Sequence, residues 1–122
     1  IGTITGGLRH AQVTALSQDE MIAAVEHARD TDQTAFVIVT HSFELINRST
    51  MAVNRVVRAR FTGLCEALAN MQGVETGNFV DNPPLHNGPR SGPSPAPLPA
   101  KPLRAGRRLA EQFVSNTLYG AL

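Results

Sequence analysis

The chain has 122 residues, 11 Lys/Arg against 10 Asp/Glu, and one cysteine, Cys65. A net charge of +1 provides no global field for nucleic acid or an anionic membrane surface. A lone cysteine excludes an intrachain disulfide and any cysteine-rich zinc site. No apolar run approaches the roughly 20 residues of a membrane span, and Ile1-Gly2-Thr3-Ile4-Thr5 lacks the basic and apolar regions of a signal peptide, so no span is expected and no compartment is legible.

Residues 1–16 carry Gly2, Gly6 and Gly7 and then Gln12-Val13-Thr14-Ala15-Leu16, which reads as an irregular start followed by a short extended segment. Ser17-Gln18-Asp19-Glu20 has the spacing of a capping box and predicts a helix start. Met21, Ile22, Ala24, Val25 and Ala28 then recur at helical spacing up to the polar stop Thr31-Asp32-Gln33. Ala35-Phe36-Val37-Ile38-Val39-Thr40 is an unbroken apolar and β-branched run, the pattern of a strand covered on both faces in a parallel sheet. A second helix is predicted through Val53, Val56, Val57, Phe61, Leu64 and Leu68, with its arginines opposite, Cys65 packed and Gly73 as C-cap. Val74 to Val80 reads as a further short strand.

This alternation of helix and strand is that of βα units and predicts an α/β fold. Two or three parallel strands need neighbours and helical cover that residues 1–81 do not supply, so the expectation is the C-terminal part of a larger domain. All eight prolines lie between Pro83 and Pro102, which makes residues 82–104 a Pro/Gly/Ser-rich linker. Residues 105–122 form an amphipathic tail helix in which Leu109, Phe113 and Leu118 are expected to pack on a protein surface, the chain's own or that of a second copy in a homo-oligomer. The basic groups Arg55, Arg58 and Arg60 and Lys101, Arg104, Arg107 and Arg108 read as solvated helix faces.

Ligands of α/β domains sit beyond the carboxyl ends of strands, which singles out His41. With Ser42 and Glu44 it places an imidazole, a hydroxyl and a carboxylate within four positions of the predicted strand end. Capping of the turn by His41 and Ser42, with a solvated Glu44, is the competing reading. His10, His27 and His86 stand in less informative contexts, and no His-x-x-x-His, Gly-x-Ser-x-Gly or phosphate-binding glycine loop occurs, so no metal-ligand set is expected in this chain.

The segment Phe36-Val37-Ile38-Val39-Thr40-His41-Ser42-Phe43-Glu44-Leu45, preceded by Leu16-Ser17-Gln18-Asp19-Glu20-Met21 and followed by Asn54 to Phe61, resembles the C-terminal part of bacterial polysaccharide deacetylase-like (NodB-homology) proteins. The resemblance covers residues 10–81 best. It implies a partial (β/α) barrel and a hydrolase of non-peptide C–N bonds that removes acetyl groups from an N-acetylated polysaccharide or oligosaccharide. It further implies a zinc-like divalent metal, held in the full-length protein by an aspartate and two histidines outside this chain. The family's late Leu-x-His motif falls on Val39-Thr40-His41, with valine in place of leucine, and gives His41 the part of general acid to the leaving amine. Ser42 and Glu44 are secondary substrate contacts, and the 122 residues alone are expected to be inactive. The alternative is a non-catalytic α/β assembly or interaction module.

Overall fold

The structure, a computed structural model, describes residues 10–47, 49–81, 98–99 and 101–119. Among these the regular elements are three α-helices, α1 (Gln18–Asp30), α2 (Arg55–Asn70) and α3 (Pro102–Tyr119), with one 3-10 turn over Ser42–Leu45. The expected α/β fold and partial (β/α) barrel are therefore incorrect for this chain. The described residues form no sheet, only isolated bridges, a parallel one between Gln12 and Val39 and an antiparallel one between Ile46 and Val53.

The capping box forms as predicted. The Ser17 hydroxyl accepts from the Glu20 amide at 3.3 Å, and a Glu20 carboxylate oxygen accepts from the Ser17 amide at 3.0 Å. Helix α1 ends in a Schellman arrangement. Asp32 takes a left-handed φ of 53° and donates to Arg29 O at 3.1 Å, and Gln33 donates to Ala28 O at 2.9 Å. Helix α2 starts at a cap the periodicity had passed over: Asn54 Oδ1 accepts from the Val56 and Val57 amides at 3.1 and 3.2 Å, which leaves Val53 outside the helix. Its C-cap is Met71, and Gly73, expected in that place, lies two residues beyond at φ 75°.

Helices α1 and α2 enclose a core of Val13, Leu16, Met21, Val57 and Leu64, flanked by Ile22, Ile38, Leu45, Phe61 and Leu68. Of the predicted core strand only Ile38 joins this cluster. Val37 and Val39 remain 51% and 44% accessible, and the backbone of the run is bridged on one side only, with the Val39 amide donating to Ala11 O at 2.8 Å. A β-branched run favours extended backbone, but a sheet also needs hydrogen-bonding partners at its edges. Here the 11–14 segment touches it at one point, and Val74–Val80 runs as irregular chain and turn, exposed from Glu75 onward. Cys65, expected to be packed, is exposed.

The 82–97 part of the predicted linker lies outside the described residues. Helix α3 begins at Pro102, where a missing N–H costs nothing in the first turn and the ring fixes φ near the helical value. It docks on the rest of the chain, but not through the residues expected. Ala105, Arg108 and Ser115 are buried, whereas Leu109, Phe113 and Leu118 point outward, Phe113 at 72% accessibility. The partner surface dictates this choice. The start of α1 presents Asp19 and Glu20, which pair with Arg107 and Arg108, the latter at 2.7 Å. From α2 comes Arg60, whose Nε donates to Glu111 at 2.7 Å, and Nδ2 of the N-cap Asn54 donates to Ser115 Oγ at 3.0 Å. Arg60 and Arg108, read as solvated, are thus buried ion-pair partners. Glu20 serves twice, one carboxylate oxygen closing the capping box of α1 and the other holding α3.

Candidate active site

His41 directly follows the extended run Ala35–Thr40 and precedes the 3-10 turn, which begins when the Glu44 amide donates to His41 O at 3.0 Å. So tight a turn folds Glu44 back beneath its own starting residue. The His41 amide donates to Glu44 Oε2 at 3.1 Å, and His41 Nδ1 lies 3.5 Å from Glu44 Oε1. The imidazole is 49% accessible and stacks on Phe43, with centroids 5.0 Å apart and planes inclined by 19°. Carboxylate on one edge and aromatic ring on one face limit the ring's rotation. Its Nε2 edge makes no hydrogen bond among the described residues.

Glu44 is turned inward and is 3% accessible. Besides the two groups of His41, its carboxylate accepts from the Gln12 side-chain amide and, at 3.1 Å, from the Thr14 hydroxyl. Burial pushes its pKa up, but the His41 amide, Gln12, Thr14 and the His41 ring together outweigh that desolvation and hold the carboxyl below its ordinary value. It is therefore an anion at neutral pH. Gln12, bridged to Val39, opens a turn in which the Ala15 and Leu16 amides both donate to its carbonyl at 3.0 Å, and this turn brings the Gln12 and Thr14 side chains to the same carboxylate from a stretch some thirty residues upstream.

The three residues singled out from sequence are thus adjacent in space but unlike in character. His41 and Ser42 are exposed, whereas Glu44 is buried behind them and bound by protein donors. Gln12 and Thr14 had no local signal beyond their i, i+2 spacing. An open cleft of about 870 Å³ between α1 and α3, lined by Ile22, Glu26, Leu103 and Arg107, lies away from this turn. No three His, Cys, Asp or Glu side chains gather as a metal-ligand set among the described residues. At the turn itself the side chains able to take part in proton transfer are the His41 imidazole and the buried Glu44 carboxylate.

Comparison with protein-family models, with curated proteins and with solved structures finds no match to this chain.

Proposed function

We propose that this chain contributes the proton-donating side of a carbohydrate N-deacetylase, with His41 as general acid. The carrying observation is the half-exposed His41 ring, stacked on Phe43 and backed by the buried Glu44 carboxylate, whose Oε1 lies 3.5 Å from Nδ1. In acetamide hydrolysis the bond between acetyl carbon and amine nitrogen breaks, and the nitrogen must take up a proton to leave as an amine. Imidazolium supplies that proton from Nε2, is left neutral with hydrogen on Nδ1, and is recharged from water. The residues that activate the attacking water are supplied from outside the described part, and a divalent metal, if used, takes its ligands there too. The resemblance of Val39-Thr40-His41-Ser42-Phe43-Glu44 to the late motif of polysaccharide deacetylases gives the substrate class, an N-acetylated polysaccharide or oligosaccharide.

The test uses the full-length gene product and an N-acetylated chito-oligosaccharide, with released acetate as readout. His41→Ala is expected to lower turnover by about 10²–10⁴-fold, the usual worth of a general acid, with bound metal unchanged. Undiminished turnover in that variant overturns the proton-donor role.

A second reading, a non-catalytic interaction module, is favoured by the exposed apolar side chains of α3, among them Phe113 and Leu118, and by exposed Val37, Val39, Met51 and Val53. It predicts that full-length protein releases no acetate and that substitutions at Phe113, but not at His41, abolish association with its partner.

A further inference from the structure

We propose that Glu44 is a positioning residue for His41, which locks the imidazole in the Nδ1–H tautomer and turns Nε2 outward. The assignment rests on His41 being the proton donor, and it replaces the expectation that Glu44 touches substrate.

Four donors converge on the Glu44 carboxylate from two stretches of chain: the Gln12 amide and Thr14 hydroxyl from one, the His41 backbone and ring from the other. A buried carboxylate held by several hydrogen bonds is deprotonated and can only accept. Any hydrogen shared between Glu44 and the ring therefore resides on Nδ1, which leaves the Nε2 lone pair, or its proton in the charged form, facing solvent. Among the described residues His41 is the only cation-capable side chain paired with this carboxylate. The 3.5 Å separation from Nδ1 is long for a hydrogen bond, as catalytic pairs commonly are before substrate closes the site. Gln12 and Thr14 matter because they immobilise the carboxylate. With both Oε1 and Oε2 engaged, it cannot rotate away from the ring, and the stack on Phe43 limits the remaining freedom of the imidazole. The arrangement ties the geometry of His41 to the 12–14 segment across the Gln12–Val39 bridge.

Ring ¹⁵N long-range correlation spectra of the labelled 122-residue chain, at about pH 8.5 where imidazole is ordinarily neutral, read the tautomer without any turnover. The unsubstituted chain is expected to show His41 predominantly with Nδ1 protonated. Glu44→Gln should shift it to the Nε2–H form or to a mixture, with helix content unchanged by circular dichroism. Glu44→Asp keeps the anion and should retain the Nδ1–H form at least in part, which also serves if the glutamine variant unfolds. A predominantly Nε2-protonated His41 in the unsubstituted chain, or an unaltered tautomer in folded Glu44→Gln, overturns the proposal. In acetate release by the full-length protein, Glu44→Gln should lower kcat by about 10–100-fold, the usual cost of losing an orienting partner, with KM little changed. If no acetate is released although the tautomer is locked, the deacetylase reading fails while the lock stands. If acetate is released equally by both forms, the positioning role fails while the deacetylase reading stands.

Discussion

Replacing Glu111 by alanine strands a buried guanidinium. The Arg60 side chain is 4% accessible, and its Nε bond to Glu111 at 2.7 Å is the shortest it makes. Without that partner it retains only the Val13 and Thr14 carbonyls, at 3.3 and 3.5 Å, while its Nη2 already has no partner in the described structure. Removing one member of a buried pair costs about 3–5 kcal/mol because the remaining charge is left uncompensated. Glu111 itself is 23% accessible, so water can partly take its place and a loss of about 3 kcal/mol, the low end of that range, is expected. The exposed Arg107–Glu111 pair on α3 adds no more than about 0.5 kcal/mol. Against a total stability of about 5–15 kcal/mol for a small domain, the change is readily measured by urea unfolding. Hydrogen exchange should show protection lost first in Pro102–Tyr119. The double variant Arg60→Met with Glu111→Leu should recover most of the loss, since apolar residues can replace a buried ion pair at little or no cost. The reasoning is refuted if Glu111→Ala costs less than about 1 kcal/mol, or if the double variant is no more stable than the single one.

Ser17→Ala removes the N-cap of α1 and should cost about 1 kcal/mol in urea unfolding, because the Glu20 amide then has no side-chain acceptor. Met21 is fully buried between α1 and α2, so Met21→Ala should leave a cavity and cost about 2–5 kcal/mol in the same assay. The Glu44 carboxyl is held below its ordinary value in the folded chain. Its stabilising contribution is therefore complete above the ordinary carboxylate range and is lost as pH falls through the folded value; Glu44→Gln should flatten that acid limb of a stability–pH curve, and an unchanged limb counts against the network. Phe113→Ser changes a side chain turned to solvent and should shift stability by no more than about 0.5 kcal/mol, while light scattering reports whether it weakens association between copies.

What could be read without a structure was local. The Ser17–Glu20 capping box and the period of Met21, Val25 and Ala28 depend on contacts within four residues, and both are formed in the folded chain. The errors arose where a side chain's environment depended on distant partners. Phe36-Val37-Ile38-Val39 has strand-like composition, but composition supplies no edge to pair with, and the chain around it offers one bridge. Leu109, Phe113 and Leu118 marked α3 as a helix with apolar side chains to place but not which face docks. That was decided by the carboxylates of Asp19 and Glu20 and the guanidinium of Arg60, residues 51 to 88 positions away in sequence. The same holds at the candidate site. His41 was visible from its place after an extended run, whereas the burial of Glu44 and its capture by Gln12 and Thr14 exist only once the 12–14 segment lies against Val39, because hydrogen bonds over such separations are made by the fold and leave no periodic trace in the sequence.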